Sequence, residues 1–152
     1  RRAGVSHAAP AHHFKDRTGL LTAIATEGYD LLAAALSDAT DLRDAGVRYV
    51  RFAVAHPAHF QVMFQPDLQR AEDPELQAAK ARAYERLRAK VAGLTGDRVG
   101  DPELTGTAAW SIAHGFATLL LTNNLDRSLG GRAPEDAFWA VADAMFGTGG
   151  GE

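Results

Sequence analysis

From Leu104 to Leu125 the chain carries no Asp, Glu, Lys or Arg, and the middle of the run is almost wholly apolar. A neutral segment of that length reads either as a membrane span or as a helix enclosed by protein on most sides. Thr105, Thr107, Ser111, His114, Gly115, Asn123 and Asn124 dilute it, no second candidate span is evident, and the other segments are amphipathic in the soluble manner. The run is therefore expected to be an enclosed helix of a soluble protein, and no membrane partner is expected.

Caps and prolines divide the remainder into helices. Ser6 can cap a short helix through His13, with Pro10 near its first turn. Asp16 can cap a longer one from Arg17 to about Ser37, with Leu20, Leu21, Ile24, Leu31, Leu32 and Leu36 at helical spacing. From Leu42 to Ala55 apolar residues cover most of a helix while Asp44, Arg48 and Arg51 form a narrow polar stripe, so this helix is expected to be mostly buried. His56-Pro57 ends it, because the residue before proline avoids helical geometry. A short block from Ala58 to Phe64 follows, and then QPDLQRAED, which reads as a loop.

Asp73-Pro74 and Asp101-Pro102 each pair a cap with a proline at the first helical position, and Pro134 opens the last helix. Leu76, Ala79, Ala83, Leu87 and Val91 line one face of the helix after Pro74, whose other face is charged. In the last helix Phe138, Val141, Ala142 and Met145 follow one face, and Trp139 and Phe146 another. No alternating strand pattern is present, so the fold class is all-α.

The length of 152 residues suits one domain with a real core, and 46% hydrophobic with 23% charged residues is ordinary for a globular protein. Absence of cysteine excludes disulfides and thiolate metal sites and suits the cytoplasm, the expected location. Net charge is -3, but residues 1–20 carry +3 and the rest -6, a basic end on an acidic body that is compatible with nucleic acid at that end. With the abrupt start at Arg1-Arg2 and no initiator methionine, preceding residues are expected.

The stretch AGVSHAAPAHHFKDRTGLL resembles the second half of the helix-turn-helix of TetR-family transcriptional regulators, through Ala3, Gly4, Val5, Ser6, His13, Phe14, Asp16, Arg17, Leu20 and Leu21. YVRFAVAHPAHFQVMF followed by AAWSIAHGFATLLL resembles the family's ligand and dimer domain, in the subgroup named for a Trp-His-Gly signature, here Trp110, His114 and Gly115. The resemblance implies a partial DNA-binding domain over residues 1–21, a ligand-binding and dimerisation domain over 22–147, and a tail over 148–152. It also implies a homodimer that regulates transcription, with a repressor released by a small apolar effector as the commoner habit. Keeping two recognition helices about one DNA turn, or 34 Å, apart requires such a dimer.

By that resemblance Ser6 caps the recognition helix and His7, Ala8 and Ala9 lie at its front, where base edges are read. His12, His13, Lys15 and Arg17 would meet phosphates. Ala11 departs from the pattern, standing where most members place a tyrosine that reaches the DNA backbone. Phe14 is expected to pack the short helix on the next one. Adjacent His12 and His13 point to different faces, which disfavours a shared metal, and His56 and His59 read as a polar patch beside a hinge.

An effector pocket needs apolar walls with a few convergent polar groups. Tyr49, Phe52, Phe60, Met63, Phe64, Tyr84, Trp110 and His114 are the candidates, although residues of these types taken singly are more often plain core. His114 in a neutral helix must either find a partner within the fold or face a ligand. For the dimer interface the candidates are Thr118, Leu121, Thr122, Leu125, Phe138, Trp139, Ala142 and Phe146, with the alternative that half of them fill the monomer's core.

No carboxylate neighbours His114 in sequence, and there is neither a phosphate-cradling glycine loop nor a His-Glu pair at ligand spacing, so no enzyme, metal or cofactor is expected. The alternative is a helical dimeric ligand- or protein-binding module with weak or no DNA binding.

Overall fold

A computed structural model of the protein describes residues 16–94 and 101–146. The short helix expected from Ser6 to His13 and the tail over 148–152 lie outside the described residues. Within them the chain forms seven α-helices and no strand: α1 (Arg17–Ser37), α2 (Leu42–Ala55), α3 (Pro57–Met63), α4 (Pro74–Ala92), α5 (Pro102–Leu121), α6 (Asp126–Leu129) and α7 (Pro134–Phe146). The loop expected after α3 contains a single 3-10 turn, Pro66–Leu68.

Local chemistry starts these helices where the sequence places them. Asp16, Asp41, Asp73 and Asp101 each accept a hydrogen bond from a backbone N–H in the first turn that follows, filling donors that a helix leaves unpaired. Pro74 and Pro102 then occupy first-turn positions where a missing N–H costs nothing. Asn123, with φ of 57°, turns the chain out of α5, and Gly130 and Gly131 take positive φ before α7.

α2 runs through the middle of the bundle. Tyr49, Val50, Phe52 and Ala53 are buried, and the stripe on its outer side closes on itself through Arg48 Nε and Asp44 Oδ2 at 2.9 Å. α1 lays Leu32, Ala33 and Leu36 into the same core, while Leu76 and Ala79 of α4 have no exposed surface. Fully burying a leucine such as Leu76 contributes about 1.5–3 kcal/mol.

Glycine permits the closest approach between α2 and α7. A Cβ on Gly46 would lie 2.5 Å from Cε1 of Phe138, so the ring occupies the place of the missing side chain. Phe138 in turn meets Phe116 of α5 edge to face at 5.3 Å.

Two expectations are corrected. α5 is not enclosed: only Ala113, Phe116 and Ala117 are buried, whereas Leu104, Trp110 and Leu119 are 68%, 43% and 46% exposed. A neutral sequence reports that a surface is apolar, not that the same chain covers it. Nor is α5 the sole segment long and apolar enough to cross a membrane by length and composition, since α1 passes as well. Both helices instead bury a face against others of the bundle.

Candidate functional site

α2, α3 and α5 converge on one cluster of rings. Helical spacing of four places Phe60 with Phe64 and Trp110 with His114 on common faces, and Tyr49 meets both pairs from α2. His114 lies against Phe60 at 5.2 Å in a near-parallel stack and against the edge of Phe64 at 4.4 Å, with Trp110 at 5.7 Å. Tyr49 contacts Phe60 at 6.0 Å.

Polar atoms inside this cluster pair with one another. Tyr49 Oη is 2.9 Å from His114 Nδ1, and Trp110 Nε1 donates to Tyr49 Oη at 3.4 Å. Burial disfavours the tyrosinate and raises the Tyr49 pKa, and burial also disfavours the imidazolium and lowers that of His114 below the ordinary 6.5. At neutral pH the cluster is uncharged.

The other candidate pocket residues separate into two kinds. Phe52 is buried one turn further along α2, beside the His56 ring at 5.5 Å, and Met63 is buried under Gly28 of α1. Tyr84 stands apart: it is 48% exposed on the outer side of α4, its hydroxyl directed at Glu103. Its sequence position, one residue off the Leu76–Ala79–Ala83 stripe, already turned it away from the core.

Sequence reasoning missed Tyr29 and Gln69. Tyr29 of α1 places its ring edge on Phe64 at 6.1 Å and donates its hydroxyl to the Met63 carbonyl at 3.1 Å, and burial raises its pKa. Its place between Ala25 and Leu32 on the buried stripe was the available signal. Gln69 is 8% exposed and its amide donates to the carbonyls of Val62 and Met63 at the C-terminus of α3, as a second donor beside the Gln65 N–H on Val62 and the Tyr29 hydroxyl on Met63. Nothing in a loop sequence announces that contact.

A separate open groove of about 460 Å³ runs along α1, lined by Ala23, Glu27, Asp30, Leu31 and Ala34 and by Glu75 of α4. It does not include the aromatic cluster, whose rings touch one another. His59 reaches Glu27 across the α1–α3 seam at 3.2 Å, and its ring meets that of His56 at 5.7 Å. No group of three or more His, Asp or Glu side chains is placed to hold a metal among the described residues.

At the candidate interface, Thr118 is exposed on α5, Thr122 at its C-cap and Trp139 on α7, the last under the Arg43 guanidinium at 5.0 Å. Leu121 and Leu125 are half-buried against the chain's own core. Phe138 and Ala142 are 3% and 4% exposed within the monomer, so the outward apolar face of α7 is Trp139, Val141 and Met145. The side chain of Phe146 lies outside the described residues. So do Ser6, His7, Ala8, Ala9, His12, His13 and Lys15 of the candidate DNA-reading segment. Arg17 is exposed at the start of α1, next to Asp16, which pairs with Arg70 at 2.7 Å.

Residues 42–145 match the family model described as tetracyclin repressor-like, C-terminal domain. A solved structure described as "a protein with unknown function from Rhodococcus sp. RHA1" is similar at 30% identity with a TM-score of 0.73, covering 93% of this chain and 77% of that one. No curated protein matches the chain.

Proposed function

Because the chain belongs to the tetracyclin repressor-like family, we propose that it is a ligand-responsive, DNA-binding transcriptional regulator of the cytoplasm that acts as a homodimer. The match over 42–145 carries this reading, since it covers the whole body from α2 to α7. Repression relieved by an effector is the mode proposed.

Support for the dimer comes from unpartnered apolar surface. Leu119 and Met145 are 46% and 63% exposed on the two helices named above as the interface, and a self-pairing patch gives twofold symmetry. Support for DNA binding comes from the basic segment that leads into α1, where His7, Ala8 and Ala9 would read bases and Lys15, with Arg17 at the start of α1, would meet phosphates. The effector would act through Tyr49, Phe60, Phe64, Trp110 and His114, because Phe64 bears directly on Tyr29 of α1, the helix that leads back to the DNA-reading segment. A ligand that binds one arrangement of α1 better than the other shifts the population toward it.

The test is binding of the full-length protein to the DNA upstream of its own coding sequence, followed by fluorescence anisotropy across a salt series. Saturable binding that weakens steeply with salt is expected. No binding at low salt would overturn the regulator reading in favour of a module without DNA affinity.

A further inference from the structure

The hydrogen-bond chain Trp110–Tyr49–His114 admits one polarity. An indole N–H only donates, so Tyr49 Oη accepts from Trp110 Nε1 at 3.4 Å. Tyr49 is 4% exposed, and its own proton therefore needs an acceptor inside the protein. Only His114 Nδ1, at 2.9 Å, is in position among the described residues. Were Nδ1 to carry the proton, Tyr49 Oη would receive two donors and its O–H would be orphaned in a buried site. With Nδ1 bare all three groups are paired, and the imidazole proton resides on Nε2.

That Nε2–H has no partner among the described residues, and it is not among their buried unpaired side-chain atoms, of which Gln69 Oε1 is the one. The donor is open, and its direction is held: Phe60 stacks on the ring at 5.2 Å and Phe64 meets it at 4.4 Å, 69° from parallel, which confines the imidazole between two rings. Beside it, 5.7 Å away, Trp110 keeps 43% of its surface exposed. A held donor next to a half-exposed indole has a definite complement.

We propose that His114 Nε2–H is the polar anchor of the effector site and donates to a carbonyl or carboxylate oxygen of a planar apolar molecule whose body lies on Trp110. The proposal rests on the reading that this body binds an effector, and it narrows the effector to one bearing an acceptor. The rings around His114 offer no charged group to hold a cation, and a ligand presenting only donors would oppose Nε2–H.

The tautomer is read on the protein alone, by two-bond proton–nitrogen NMR of nitrogen-15-histidine-labelled protein. A protonated Nε2 and a bare Nδ1 are expected for His114, and Tyr49→Phe should turn this into a tautomer mixture. In the same spectra 2-naphthoate should shift both His114 Nε2 and the Trp110 indole, and 2-naphthylmethylammonium, of similar size, should shift neither. His114→Gln should weaken 2-naphthoate binding by about tenfold or more, equivalent to about 1.4 kcal/mol. A protonated Nδ1 in the free protein, no binding of 2-naphthoate, or equal response to the two probes overturns the proposal. Because no DNA is present, these outcomes are independent of whether the protein binds an operator.

Discussion

Replacing Gly46 with alanine tests the contact that fixes α7 on α2. On propensity alone the change favours the helix by about 1 kcal/mol. The new methyl, however, would sit 2.5 and 2.8 Å from Cε1 and Cζ of Phe138, about 1 Å inside the carbon–carbon optimum of about 3.5–4.0 Å. Phe138 cannot yield cheaply, since it is 3% exposed and its ring is set against Phe116 at 5.3 Å. Overpacking of this kind costs about 1–3 kcal/mol, so the net change runs from near neutral to a loss of about 2 kcal/mol.

Gly106→Ala supplies the reference that removes the propensity contribution. It lies inside α5, and its Cβ would meet Val91 Cγ2 at 3.5 Å, an ordinary contact. Gly46→Ala should therefore fall below Gly106→Ala by about 1–3 kcal/mol in urea unfolding. Phe138→Leu in the Gly46→Ala background should recover part of the loss, with a coupling energy of at least about 0.5 kcal/mol in the double-mutant cycle. Equal stability of the two alanine variants, or strict additivity with Phe138→Leu, would show that Phe138 does not seat on Gly46 and that the packing argument for α7 is wrong.

Gln69→Ala should destabilise the fold by about 0.5–1.5 kcal/mol, read from the urea midpoint, because it removes the amide's hydrogen bonds to Val62 and Met63 while the Gln65 N–H and the Tyr29 hydroxyl keep both carbonyls paired. Burial lowers the pKa of His114, so the unfolded chain takes up that proton first as pH falls. Its contribution is complete above about 6.5 and declines as pH drops through that value toward the lower folded pKa; His114→Gln should remove that part of the pH dependence, and an unchanged profile would refute it. Leu119→Glu and Met145→Glu alter side chains 46% and 63% exposed, so each should shift monomer stability by less than about 0.5 kcal/mol yet dissociate the proposed dimer in sedimentation. A dimer that survives both would move the interface elsewhere.

Helix starts were legible because their causes are local. A cap acts on N–H groups two or three residues ahead, so Asp16, Asp73 and Asp101 could be read from their neighbours alone. The buried stripe of α4 was legible for the same reason, and periodicity placed Leu76, Ala79, Ala83 and Val91 correctly. The division of α7 was not legible. Phe138 and Met145 share a face by spacing, but one seats on Gly46 and the other is 63% exposed, a difference decided by a glycine 92 positions earlier in the chain. Of the eight candidate pocket residues, five came together because two i,i+4 pairs and a tyrosine from a buried helix leave little freedom. Tyr84 stands apart because its register, one residue off the buried stripe of α4, turns it outward.

Two forces of different range hold the proposed assembly together, and ionic strength separates them. The outward face of α7 is oriented by packing at Gly46, while Arg43–Asp143 at 3.0 Å and Arg51–Glu135 at 3.4 Å are exposed ion pairs worth about 0–1 kcal/mol each. Screening those pairs leaves the face in place, and contact between apolar side chains such as Leu119 and Met145 does not weaken with moderate salt. Phosphate contacts behave in the opposite way, each steepening the fall of log affinity with log salt by about 0.9. Raising salt from about 50 to 200 mM should therefore release DNA from a protein that still sediments as a dimer. If dimer and DNA complex dissociated together along that series, the subunits would be joined by charge, and the apolar faces of α5 and α7 would have to serve some other contact.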